Sequence, residues 1–177
     1  MDSVLNIKNF PLLESTLTDA NDRKSVRLLC IFGCNASEVI FATNDDKVYA
    51  FGRNRFGGLG LGTDDENIDT PQWNTTLSDK QLSNIFCGFE HWIALTSEGQ
   101  AYAWGHNDQG QLGIEGLKVT NKPLHIYELA EEVVVQMSCG AAYTMCLTAE
   151  GQVCSHYRIN GFVDTSSLLL ITGVCLG

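Results

Sequence analysis

Basic residues are scarce in this chain: its 177 residues hold 11 Lys and Arg against 21 Asp and Glu, a formal net charge of −10. A surface that tracks nucleic acid or anionic lipid needs clustered cations, so this balance argues against a direct nucleic-acid or membrane partner. The opening MDSVLNIKNF lacks both the basic start and the long apolar run of a secretory leader, and the expected compartment is the cytoplasm or nucleus. Seven cysteines include no CxxC pair. In a reducing compartment they read as small buried hydrophobes rather than as a disulfide framework. The formal glycosylation sequons at Asn35 and Asn74 are then chance matches. The apolar stretch SLLLITGVCLG is far shorter than the ~20 residues a membrane helix needs.

Glycine is plentiful instead, 17 residues in a chain that is 44% hydrophobic, which reads as globular and turn-rich. WGHNDQGQLG (104 to 113) spaces Gly105 and Gly110 as a phosphate-binding loop does. Gln111 and Leu112 stand where such a loop needs Lys and then Ser or Thr, so no nucleotide cofactor is expected. The stretch is one copy of a repeat. FGRNRFGGLG (51 to 60) lies 53 residues earlier and shares Gly52/Gly105, Asn54/Asn107, Gly57/Gly110, Leu59/Leu112 and Gly60/Gly113. CGFEHWIALTSEGQ (87 to 100) recurs 52 residues later as CGAAYTMCLTAEGQ, keeping Cys139, Gly140, Leu147, Thr148, Glu150, Gly151 and Gln152. In a fainter first copy, the 53-residue offset sets Cys34 under Cys87, Thr43 under Thr96 and Tyr49 under Tyr102.

Each unit reads as strand, tight turn, strand, glycine loop. Ile93 to Thr96 and Gln100 to Trp104 are the strands, and Ser97-Glu98-Gly99 is the turn, with Gly99 placed for positive φ. Ala149-Glu150-Gly151 is the equivalent turn, while Ile85-Phe86 and Val133 to Met137 are a further strand in each unit. Three or four strands in about 52 residues is the size of a propeller blade. The expected fold is all-β, a partial propeller of about two and a half blades, with a short helix near 18 to 29. The expected division is an N-terminal segment 1–29, repeats 30–86 and 87–138, the start of a third at 139–155, and a divergent tail 156–177. The third repeat breaks where His156 and Tyr157 replace Trp-Gly. In the loops, Gly105, Gly110 and Gly113 let the chain pass close to a neighbouring blade, Trp104 and Leu112 fill the gap between sheets, and Asn107 holds its own turn.

Cys87, Gly88, His91, Ala94 and Leu95, followed by Glu98-Gly99 and by Trp104-Gly105-x-Asn107-x-x-Gly110-Gln111-Leu112-Gly113, resemble the repeat of the regulator of chromosome condensation family. The likeness runs over roughly residues 28 to 155. It implies a seven-bladed β-propeller without catalytic residues in these units, serving protein–protein interaction. IFGCNASEVIF (31 to 41) is similar to the branch that carries a BTB domain after its propeller. That implies a longer parent protein whose propeller recognises partners and whose BTB domain links to ubiquitin-ligase components. The activity of the family's prototype, guanine-nucleotide exchange on a Ran-like small GTPase, is the alternative. Seven such units would take about 360 residues; the fewer than three here make an open arc, expected to be marginally stable or aggregation-prone alone.

Other residues invite sharper readings. His91 beside Cys87 suggests zinc or a Cys/His nucleophile, but the equivalent positions are Glu38 and Tyr143, so no ligand set repeats and a structural role is favoured. Cys34, Cys87 and Cys139 recur once per unit, as a position buried between blades would. His106, His125 and His156 are expected on loops. TDDENID (63 to 69) lacks the glycine and terminal Glu of an EF-hand calcium loop and reads as a solvated loop. Trp73 and Trp92 either anchor a partner or pack between sheets. No metal site is expected.

Overall fold

The second and third strands of each unit are nearly continuous apolar runs, EVIFAT and VYAFGR in the first, HWIALT and AYAWGH in the second, and they are buried almost throughout. A strand without polar alternation must be covered on both faces, and here neighbouring sheets cover it. In the computed structural model, which describes residues 25–33, 36–156, 158–159 and 162–163, three antiparallel sheets follow one another. The first orders β1 (Val26–Phe32), β2 (Glu38–Thr43), β3 (Val48–Arg53) and β4 (Asn67–Trp73). The second orders β5 (Leu82–Cys87), β6 (His91–Thr96), β7 (Ala101–His106) and β8 (Val119–His125). β9 (Val134–Cys139), β10 (Thr144–Thr148) and β11 (Val153–His156) form the third, while β12 (Arg158–Ile159) and β13 (Phe162–Val163) pair only with each other.

The first strands, β1, β5 and β9, touch in sequence, so the sheets fan out from a common inner edge as propeller blades. Between the first two blades, Ile40, Val48 and Ala50 pack against Leu82, Ile85, Trp92 and Trp104; between the second and third, Ile93, Leu95 and Ala103 pack against Val134, Met137 and Cys146. Sheet and sequence repeat are offset, because each repeat begins at the Cys-Gly that ends an inner strand.

The outer strands NIDTPQW and VTNKPLH are polar, the first largely exposed and the second mostly half-buried. Each carries one proline inside a register shift, Pro71 where β4 slips between Ala50 and Gly52, and Pro123 where β8 slips between Ala103 and Gly105. A residue without an N–H is tolerated where the ladder is already interrupted, and the bulge blunts the blade's outer edge.

Two expectations are corrected. The helix expected near 18 to 29 ends sooner: Ser25 is helical, but from Val26 the chain is strand β1, where Leu28 and Leu29 pair with Ala42 and Phe41; residues 18–24 lie outside the described residues. The first copy is also not aligned by a fixed offset. Ile31 pairs with Val39 as Cys87 pairs with Trp92, so Ile31, not Cys34, is the counterpart of Cys87. Five residues (33–37) join β1 to β2, against three (88–90) between β5 and β6, and Cys34 is not among those described.

Candidate interaction surface

The glycine loops hang from the ends of β3 and β7 and close on their own asparagines. Asn107 donates from Nδ2 to the carbonyls of Ile114 at 2.7 Å and Leu117 at 2.9 Å, while its Oδ1 accepts the Leu112 N–H at 2.9 Å. Asn54 repeats the pattern with Thr63 and Asp65 carbonyls and the Leu59 N–H. One side chain thereby fixes a loop of about a dozen residues, as the Asx-turn chemistry anticipated. Asn107→Ala strips a largely buried loop of three bonds, and we expect a loss of about 2–4 kcal/mol in a urea titration. A loss below about 0.5 kcal/mol would show that the loop is held by its flanks alone.

Each loop then seats on the following blade. The Gly62 N–H donates to the Asn121 carbonyl at 2.9 Å, and the Trp104 indole N–H donates to the Gly58 carbonyl at 2.9 Å. A Cβ at Gly60 (φ +65°) would lie 3.0 Å from Pro123 Cγ and 3.2 Å from Trp104 Cε2, so a side chain there is strained and crowded. Gly52, Gly57, Gly99, Gly105, Gly110, Gly113 and Gly151 share positive φ. Gly88 and Gly140 are set by packing instead, Gly88 against His91 and the Gly140 carbonyl, and Gly140 against Tyr143. Leu59 and Leu112 fill successive inter-blade cores.

The third blade preserves the joint with a different residue. A Cβ on Gly113 would meet the His156 ring at 2.8 Å, the relation Gly60 has to Trp104. His156 therefore occupies the tryptophan slot, buried, with neither ring nitrogen hydrogen-bonded and its pKa pushed down by burial against the pull of Glu128. His106, His125 and His156 close strands β7, β8 and β11 rather than lying on loops.

His91 is fully buried at the joint of the second and third blades. Its Nε2 lies 3.0 Å from Thr144 Oγ1, whose hydroxyl donates to the Gln111 carbonyl at 2.7 Å. Because that hydroxyl proton is committed, the chain of bonds assigns the Nε2–H tautomer. Desolvation pushes the His91 pKa down to about 4, opposed by the Tyr143 backbone. Its counterpart Glu38 is also buried; desolvation raises its carboxyl while Arg53 and Arg55 pull it back.

The inner-strand cysteines differ from expectation: Cys87 is exposed and Cys139 half-buried. Burial pushes the Cys30 and Cys139 thiols up to about 12, so these two stay protonated. Among the described residues, no group of three or more His, Cys, Asp and Glu is arranged to hold a metal ion, and no helix is long and apolar enough to cross a membrane. Of the two open tryptophans, Trp92 packs in the core. Trp73 is exposed, its indole donating to Ser78 Oγ at 2.8 Å. Phe89, 75% exposed, and Tyr143, 46% exposed, occupy the turns after β5 and β9, at the same blade ends as the glycine loops.

Radiating sheets of three or four strands, locked by loop-into-next-blade joints, define this chain as a segment of a β-propeller. The chain belongs to the regulator of chromosome condensation (RCC1) repeat family, whose repeat matches residues 45–95 and 98–147, with a second form of that repeat matching 83–111. It is 34% identical over 136 residues to the human probable E3 ubiquitin-protein ligase HERC6, covering 75% of this chain and 13% of that protein. It is 30% identical over 125 residues to the ultraviolet-B receptor UVR8 of Arabidopsis thaliana, covering 71% of this chain and 28% of that one. The chain thus spans well under a third of these relatives. Among solved structures, human WBSCR16 superposes with a TM-score of 0.65 at 20% identity, covering 83% of this chain and 38% of that chain. Prp20p of Saccharomyces cerevisiae does so at 0.64 and 17% identity, covering 75% and 33%.

Proposed function

We propose that this chain is a non-catalytic propeller segment for protein–protein interaction, the partner-recognition part of a longer, BTB-containing protein of the ubiquitin-ligase-adaptor kind, in the cytoplasm or nucleus. The observation that carries the reading is the division of labour in the repeats. Residues that recur are consumed by blade joints, whereas Phe89, on the turn after β5, is exposed where packing does not require it. Similarity to a probable ubiquitin ligase supports the adaptor context. Exchange on a Ran-like GTPase is the second reading, favoured by the shared fold with Prp20p, whose structure is described together with its binding to Gsp1p and histones.

The two readings separate in one experiment. The chain is added to a Ran-type GTPase loaded with fluorescent GDP and, in parallel, used to capture partners from cell extract. Interaction alone predicts no faster nucleotide release and a discrete partner set that Phe89→Asp abolishes without changing the melting temperature. Accelerated release favours exchange; capture that ignores the substitution sinks the turn-face reading.

A further inference from the structure

The first glycine loop differs from the second at the positions its architecture leaves free. Asn54, Gly57, Leu59 and Gly60 match Asn107, Gly110, Leu112 and Gly113, but Arg53-x-Arg55-Phe56 stands where the second loop has His106-x-Asp108-Gln109. Phe56 is held at φ +53°, ψ +24°, a left-handed conformation that is strained for a residue with a Cβ. Gln109 is not so strained. The Arg55 guanidinium lies 4.8 Å over the Phe56 ring, which in turn meets His106 edge-on at 4.8 Å, so the strained ring is clamped between the two blades.

Beside it opens a groove of about 690 Å³, running between this loop and β8 of the second blade. Arg53, Arg55 and Phe56 line one side, and Leu117, Val119 and Leu124 supply apolar surface, of which Val119 is 52% exposed. Both arginines are exposed and neither makes an ion pair within 4 Å among the described residues, although both act at longer range on the buried Glu38 carboxyl. Asp64 and Glu66 also line the groove, so it is locally neutral although the chain is acidic. Asp64 already accepts the Asn121 amide at 2.8 Å.

We propose that this groove docks an extended, acidic peptide segment of a partner protein. Carboxylates of the segment would engage Arg53 and Arg55, and its aliphatic side chains would lie on Leu117, Val119 and Leu124. The inference rests on the interaction reading above and names its partner chemistry. Each guanidinium presents a planar fork of donors that favours a carboxylate bidentately, and the chain's remaining negative charge is largely screened beyond about 8 Å at physiological salt.

The test uses the whole chain and a fluorescein-labelled peptide, Gly-Ser-Glu-Leu-Glu-Val-Ser-Gly, followed by anisotropy. Binding should weaken with added salt and fall roughly tenfold or more in the Arg53→Glu, Arg55→Glu double variant, with an unchanged melting temperature. Lys80→Glu, at the opposite ends of the strands, should bind like the parent. Equal or tighter binding of the Lys-for-Glu peptide, or of a single-stranded oligonucleotide, overturns the proposal, as does binding indifferent to the arginines. A chain that still captures its partners but binds no acidic peptide loses the groove and keeps the interaction reading. A chain that captures nothing loses both.

Discussion

Lowering the pH from 7 toward 4 is expected to cost the fold about 3 kcal/mol through His91 alone. The folded-state pKa of about 4 lies below the 6.5 of an exposed histidine. Above 6.5 both folded and unfolded chains are neutral at this residue, and stability is fully present. Below it the unfolded chain takes up a proton that the folded chain refuses, so stability drains away until the folded pKa is reached. A shift of this size corresponds to roughly 3 kcal/mol. His156, shifted in the same direction, adds to the loss. Urea midpoints at pH 7 and 4.5 measure the total, and His91→Gln, which retains a donor toward Thr144, isolates the share of this residue by flattening the profile. An unchanged slope in that variant would falsify the assignment of a buried neutral imidazole.

Trp104→Ala should be the most damaging single substitution in the second blade. The indole is fully buried between the first two blades and donates to the Gly58 carbonyl. Truncation leaves a cavity of tryptophan size and an orphaned acceptor, about 3–5 kcal/mol for the cavity and a further 1–3 kcal/mol for the unpaired carbonyl. Set against the roughly 5–15 kcal/mol of an ordinary domain, this takes the chain to the edge of unfolding. Trp104→Phe keeps most of the packing and loses the bond, so it should cost far less. The two variants are compared by guanidinium denaturation followed by circular dichroism. If the alanine variant lost under 1 kcal/mol, the blades would have to be held chiefly at their inner strands.

Much of this joint was legible in the chain. Two glycine loops at a constant offset, each with an asparagine, Asn54 or Asn107, ahead of its leucine, announced a self-closing turn, and Gly99 and Gly151 take the positive φ that their hairpins required. The outer strands were not legible. NIDTPQW and VTNKPLH carry no apolar alternation and each holds a proline, so only pairing with β3 and β7 reveals them as strands. β1 was misread for a related reason: at the inner edge its residues are nearly all half-buried, giving neither a helical nor an alternating pattern, and pairing with β2 decides the matter. The groove beside Phe56 lay beyond a sequence reading, because its two sides come from different blades. The differences between the two loops at 53, 55 and 56 were nonetheless visible as departures from the repeat.

The seating of each glycine loop on the following blade also sets an order of events during synthesis. Gly60 cannot find Pro123, nor Gly58 the indole of Trp104, until the next blade has left the ribosome. At roughly 5–20 residues per second, the first blade waits on the order of 3–12 s with one apolar face uncovered. Each newborn blade is thus completed by its successor, and a pause in translation just after one glycine loop would prolong the interval in which a chaperone is most needed.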